Sequence, residues 1–469
     1  MKHLLLEDAE RRNFLTQAGA VVATGLIAGS VVSAAAPAPG TASNTKAGGF
    51  PANFLWGVST AAHQYEGNNI NADLWVMEHL KPSPFREPSG DACDGYHRYA
   101  EDIAFVKSIG LNSFRFSVEW ARVEPEQGEF SLAELDFYRR VLGICREQGL
   151  TPNVTLHHFT SPRWFAAAGG WDNPEAPTWF ARYAERVAKH MGDLIGLAVP
   201  FNEPNAPLVA AWLPGGPGVP GAGAGGPEGQ YSGLSAAMRP ILQAAAQRVG
   251  SDKFVPSLFS DPATGMPAMM KAHHLARAAL KAGRGSYPVG AIISLNDDHV
   301  LPGGEALHER KRAEVFKPWL KVAAESDFLG VQCYARGWLG PNGPVQPPAD
   351  AIVTKSGWAF DPEALGDMLR WAATQVKVPI YVTENGISTD DDTQRVAHIK
   401  RAIASMKSAM DAGVDVRGYF HWTLVDNWEW NEGFHQTLGL VAFDRTTFKR
   451  APKPSAYVYG GIAKRNGAV

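Results

Sequence analysis

Along the chain, short apolar runs alternate with stretches in which apolar residues return every three or four positions. Runs at residues 54–58, 112–118, 151–156, 197–201, 289–295, 328–332, 380–383 and 416–422 read as strands. Between them the spacing is helical. Leu135, Tyr138, Leu142 and Cys145 fall at i, i+3, i+7 and i+10 and predict one face of a helix. That helix is expected to stop at Gly149, a residue type suited to the position after a helix end. Gly110 and Gly413 close the same rhythm of helix, glycine and strand. Eight strands alternating with helices predict a parallel sheet, and eight is the number that closes a (β/α)8 TIM barrel. One catalytic domain is expected over residues 50–469. A doubly wound dinucleotide fold loses support because no G-x-G-x-x-G follows the first strand. The run PGGPGVPGAGAGGPEG at 214–229 predicts a loop without regular structure after the fourth strand.

Composition narrows the function only slightly. Hydrophobic residues make up 45% of the chain and charged residues 19%, enough apolar mass for a large core. The net charge of −3 gives no reason to expect nucleic acid or an anionic membrane as partner. Cys93, Cys145 and Cys333 are too sparse for a disulfide framework. There is no C-x-x-C or H-E-x-x-H, and the neighbours His157 and His158 face opposite ways on a strand, so no metal or cofactor is expected.

The first forty residues stand apart. Arg11 and Arg12 precede Phe14-Leu15, the apolar stretch AGAVVATGLIAGSVV and the small residues SAAAPAPG. This resembles a twin-arginine export signal. It implies a cleaved leader over residues 1–40, passing contact with the export machinery and a periplasmic or secreted destination. Thr24, Gly25, Gly29 and Ser30 interrupt the apolar stretch, and no later stretch is long enough to span a bilayer, so stable membrane insertion is not expected.

Two strand ends carry the chemistry. The fourth predicted strand runs into Asn202, Glu203 and Pro204, and the seventh into Thr383, Glu384, Asn385 and Gly386. A barrel projects its catalytic groups from these ends, so the two glutamates are expected to face one another across one mouth. A carboxylate pair suits glycoside hydrolysis: one protonates the leaving oxygen while the other attacks the anomeric carbon or activates water. Like charges in a buried pocket raise the pKa of one member and keep it protonated.

With these motifs in order, the chain resembles glycoside hydrolase family 1, the β-glucosidase and β-galactosidase family, whose fold is a (β/α)8 barrel and whose members retain anomeric configuration. The resemblance spans essentially everything after the leader. FLWGVSTAAHQYEG at 54–67 implies Gln64 as a ligand for outer sugar hydroxyls. FRFSVEWARVEP at 114–125 implies Arg115 beside the nucleophile, holding it ionised. TLHHF at 155–159 implies His158 as a further hydroxyl ligand. FNEP implies Glu203 as acid/base and Asn202 at the 2-hydroxyl, and TENG implies Glu384 as nucleophile. HWTLVDNWEWNEGF at 421–434 implies Trp422 as the floor under the sugar, with Glu429 and Trp430 binding hydroxyls far from the scissile bond.

Three departures bear on sugar preference. The family's Asn-Tyr-Tyr after the sixth strand is here Gln332-Cys333-Tyr334, with Tyr334 aligned to the tyrosine that hydrogen-bonds the nucleophile. Phe159-Thr160 replaces Trp-Asp, and Leu438 stands where phenylalanine is common. The reading is a retaining exo-β-glycosidase that removes a terminal β-D-glucosyl or related neutral hexosyl residue. A transglycosylase of the same family and a carbohydrate-binding protein on an inactive barrel are the alternatives; the second predicts loss of Glu203 or Glu384, and both are present.

Overall fold

The computed structural model describes residues 49–214, 232–296 and 298–467. The expected leader and all but the first residue of the glycine-rich run lie outside the described residues. The eight predicted strands form one sheet with parallel neighbours throughout. They are β1 (Leu55–Ser59), β2 (Ser113–Ser117), β3 (Thr151–His157), β4 (Leu197–Phe201), β5 (Ala291–Ser294), β6 (Leu329–Gln332), β7 (Ile380–Asn385) and β8 (Val416–Trp422). In space they run β4-β3-β2-β1-β8-β7-β6-β5. The two outer strands then meet. Ala198 of β4 bridges Val289, just before β5. Its N–H donates to Pro288 O and its carbonyl accepts from Gly290 N–H, both at 3.0 Å. The sheet is therefore a closed (β/α)8 barrel. Strand β4 is buried at every position, which is why it reads as an apolar run; β2 is equally buried but alternates as SFRFS.

A helix follows each strand: α1 (Gly95–Ile109), α2 (Leu132–Glu147), α3 (Ala176–Met191), α4 (Pro262–Ala282), α5 (Lys317–Ala324), α6 (Ala364–Gln375), α7 (Asp392–Asp411) and α8 (Pro454–Lys464). In α2 the Ser131 hydroxyl caps the N-terminus by accepting from Glu134 N–H at 3.3 Å. Leu135, Tyr138, Leu142 and Cys145 are all buried against the barrel. Gly149 follows with φ +70°, the left-handed turn expected of it. Inside the barrel Leu197, Val199, Ile292 and Phe328 pack with half-buried Leu55 and Tyr381. Leu197 and Val199 share β4, but the other four come from or adjoin four further staves, and the set can meet only in the interior.

Additional elements sit beyond the barrel. Asp298–Val300, Gly337–Gly340 and Gly343–Val345 form a small sheet, and Val441–Phe443 pairs with Arg450–Pro452. A helix, Ser232–Val249, occupies the long connection between β4 and α4.

Candidate active site

Strand β4 ends at Phe201. Asn202 stays in the wall, its N–H donating to His157 O of β3 at 2.8 Å. Glu203 then adopts φ +36°, a left-handed conformation that costs free energy for a residue with a Cβ. Pro204 cannot continue the ladder. The turn is held by Asn205, whose side chain donates to Ser294 O at 2.8 Å and accepts from Ser294 N–H at 3.0 Å. These two bonds tie the end of β4 to β5 and fix the strained residue that carries the carboxyl.

Strand β7 ends differently. Its pairing with β6 and with β8 shifts register after Val382, so the chain bulges at Glu384 and re-aims that side chain. Both oxygens of Glu384 are held. Arg115 Nη1, from β2, donates to Oε1 at 2.5 Å, and Tyr334 OH, just past β6, donates to Oε2 at 2.5 Å. Arg115 Nη2 also donates to Asn202 Oδ1 at 2.6 Å, and Gln332 Nε2 reaches the same oxygen at 2.7 Å. One guanidinium thus joins the ends of β2, β4 and β7.

The two carboxyls titrate apart. Burial pushes Glu203 well above the usual carboxylate range, and the charge of Glu384 pushes it further. Burial raises Glu384 as well, but the Arg115 charge and the Tyr334 hydrogen bond pull it back. Arg115 lowers the Glu384 carboxyl as expected from sequence, yet burial still leaves it raised; Glu203 is raised further, because a Ser294 hydrogen bond and the Arg115 charge offset its burial less and the Glu384 charge adds to it. At neutral pH the proton belongs on Glu203.

Farther from this pair, Glu429 accepts from Gln64 Nε2 and from Trp422 Nε1, each at 3.1 Å. Burial lifts the Glu429 carboxyl to about 8, against the pull of those two donors. The His158 ring stacks on Trp422 and Trp430, with centroids 5.7 and 6.2 Å apart. Burial, with Arg115 and His157 nearby, keeps His158 neutral. His157 turns the other way, to the hydroxyls of Ser161 and Ser257 at 2.9 and 3.0 Å.

The structure brings all ten residues named from sequence into one connected mouth. Several buried polar atoms there lack a protein partner: Gln64 Oε1, His158 Nδ1, Asn202 Nδ2, Glu203 Oε2 and Trp430 Nε1. Leaving such atoms unpaired is expensive, so a hydroxyl-rich ligand that pairs them is favoured. Sequence reasoning missed three participants. Asn205 is the turn's clamp; a second Asn after FNEP was its only signal. Gln332, read as a departure, spans to Asn202 across the barrel. Trp358 is buried beside Tyr334, Trp422 and Leu438, and its Nε1 has no protein partner. A lone tryptophan in the loop after β6 gave no pattern to find it by. Among the described residues, no group of three or more His, Cys, Asp and Glu side chains is placed to hold a metal ion.

Comparison with known proteins agrees with this geometry. The chain is 31% identical over 473 residues to the thermostable beta-glucosidase B of Thermobispora bispora, covering 89% of this chain and 91% of that one. It is 30% identical over 449 residues to beta-glucosidase A of Thermotoga maritima, covering 89% and 98%. A solved apo structure of a beta-glucosidase designated 1317 superposes with a TM-score of 0.82 at 43% identity, over 88% of this chain and 99% of that one. The model of glycosyl hydrolase family 1 matches residues 46–233 and 343–468. With both glutamates at the strand ends of a closed barrel, and matches over most of its length, the chain belongs to glycosyl hydrolase family 1.

Proposed function

We infer that the chain is a retaining β-glucosidase. The observation that carries this is the unequal pair: Glu384 held on both oxygens by Arg115 and Tyr334, Glu203 buried with one oxygen unpartnered. Glu384 attacks the anomeric carbon while Glu203 passes its proton to the departing oxygen. A glycosyl ester forms on Glu384, and the leaving group departs as the alcohol. With the charge of Glu384 lost in the ester, Glu203 is now the carboxylate, facing water. It takes a proton from that water as the water attacks, which restores both side chains and releases the sugar with its original configuration.

The roles of the remaining residues belong to the same reading. Asn202 presents its unpartnered amide to the 2-hydroxyl. Gln64, His158, Glu429 and Trp430 take the outer hydroxyls, and Trp422 lies under the ring. The relatives described above are beta-glucosidases by name, which favours glucose as the sugar. Hydrolysis of 4-nitrophenyl β-D-glucoside followed by proton NMR tests the reading. β-Glucose must appear first and mutarotate later. First appearance of the α-anomer overturns retention, and a clear preference for the galactoside or for a 6-phosphoglucoside overturns the choice of sugar.

We propose further that residues 1–40 direct export by a twin-arginine route and are then removed. The Arg11-Arg12 pair ahead of an apolar, small-residue stretch supports this. No helix among the described residues is long and apolar enough to cross a membrane. Arg11→Lys combined with Arg12→Lys should leave active enzyme in the cytoplasm; unchanged secretion of the double variant overturns the route.

A further inference from the structure

Beside Glu203 a cleft of about 450 Å3, counted out to its open mouth, runs between the ends of β3 and β4 and the first turns of α4. Phe159, Leu208 and Met269 form its buried floor, and Leu258 and Met266 are half-buried at its rim. Glu203 and Asn202 line it, whereas Gln64, Glu384, Trp422 and Glu429 do not. The cleft therefore adjoins the acid rather than the nucleophile.

Its serine hydroxyls are already committed. The Ser257 hydroxyl is shared among His157, Ser161 and Trp171 Nε1, at 2.8 to 3.0 Å. The Ser260 hydroxyl donates to Ser257 O at 3.1 Å. His157 has both hydroxyl neighbours on one nitrogen, and burial takes it down to about 3, so it carries no charge at working pH. The lining is mostly apolar side chains, and its unpartnered polar atoms are His157 Nδ1, Asn202 Nδ2 and Glu203 Oε2, all at the inner end beside the acid. Its far wall, including Leu258, Met266 and Met269, lies outside the two stretches that the family model matches.

We propose that this cleft seats the leaving group and selects aliphatic aglycones over a second sugar. The proposal rests on the β-glucosidase reading for the position of the scissile bond. Along the Leu208, Leu258, Met266 and Met269 side chains a second sugar would lose hydration from hydroxyls with nothing to pair them, whereas an alkyl chain gains by leaving water.

The test is kcat/KM for methyl, butyl, hexyl and octyl β-D-glucosides, whose leaving alcohols have similar acidity, with cellobiose alongside. Each methylene buried against an apolar wall is worth up to about fourfold, so octyl glucoside should exceed methyl glucoside by more than about tenfold and should also exceed cellobiose. In Met266→Lys the octyl-to-methyl ratio should collapse toward one. A ratio is independent of how much of the preparation is active. A flat alkyl series, a ratio that survives Met266→Lys, or cellobiose as the better substrate overturns the proposal. Failure of the β-glucosidase reading looks different, as absence of turnover on every glucoside. Calorimetry with methyl and octyl 1-thio-β-D-glucosides then reads the cleft without turnover: octyl binding more than about tenfold tighter supports it, and equal affinities overturn it.

Discussion

The ends of β4 and β7 have the same local grammar: an apolar run, a glutamate, then turn residues. Both glutamates are buried. They differ in what reaches them from elsewhere. Glu384 is gripped by a guanidinium from β2 and a phenol from beyond β6, on a strand that bulges to aim it. Glu203 sits on a strained turn with one oxygen bare, and its turn is clamped by Asn205 rather than its carboxyl. Two identical side chains in one pocket thus receive opposite protonation states, and the allocation comes from third parties on other strands. A strand-end glutamate announces a site; its neighbours across the barrel decide which half of the reaction it performs.

Substitution of the two glutamates should break the comparison most sharply. Glu384→Ala removes the attacking oxygen and should lower kcat by roughly 10^4 to 10^6-fold. Azide should restore part of the turnover by entering from the emptied face and giving α-glucosyl azide. A folded variant with near-normal kinetics would refute the assignment. Glu203→Ala should cost roughly 10^2 to 10^4-fold on alkyl glucosides, whose alcohols cannot leave unprotonated. It should cost far less for formation of the glycosyl-enzyme from 2,4-dinitrophenyl glucoside, measured as a burst, since that phenolate departs unaided. Equal losses on both would show that Glu203 is not the acid.

Milder changes sharpen the comparison. Tyr334→Phe removes one hydrogen bond to the ionised form of Glu384, worth about 1.5–3 kcal/mol, so kcat/KM should fall roughly ten- to a hundredfold. The sign of the pH effect is fixed: the lost bond favoured the carboxylate, so burial is less opposed and the acidic limb of the kcat/KM profile moves to higher pH. A limb that stays in place would mean that Tyr334 does not tune the nucleophile. The smallest effect concerns the third carboxyl. Because burial raises Glu429 to about 8, its ionised fraction grows through that pH, and a charged acceptor binds hydroxyls more strongly. Affinity for methyl 1-thio-β-D-glucoside should tighten severalfold as pH rises through about 8, and Glu429→Gln should flatten that dependence. An unaltered pH dependence in the variant would place the titration elsewhere.

What could be read from sequence followed the physics of burial. Staves such as β4 and β5 were visible because a parallel strand covered on both faces tends to be an apolar run, and others because Gly110, Gly149 and Gly413 mark the preceding helix ends with left-handed backbone. The small sheet that includes Asp298–Val300 was invisible, since three half-buried residues carry no period. Helix Ser232–Val249 was hidden by Pro240 in its interior and by the glycine-rich run before it. At the site, Glu203 and Glu384 were legible because each sits at a strand end. Asn205, Gln332 and Trp358 were not, because their meaning lies in contacts to Ser294, Asn202 and Trp422, each distant along the chain.

The barrel's closure also has a consequence for how the protein is made. β1 pairs with β8, Leu55 against Gly418, and the Tyr459 hydroxyl donates to both Gly57 O and Tyr419 O. A ribosome that has released both catalytic glutamates has still not supplied the stave that joins first to last, nor Trp422 and Glu429. Until then β1 and β7 are open edges, able to pair with other chains. Vectorial synthesis therefore completes the pocket late, and a message truncated after Asn385 yields a chain with both glutamates but without Trp422, Glu429 and Trp430. Catalytic activity therefore requires translation at least through β8 and the loop that carries Glu429 and Trp430.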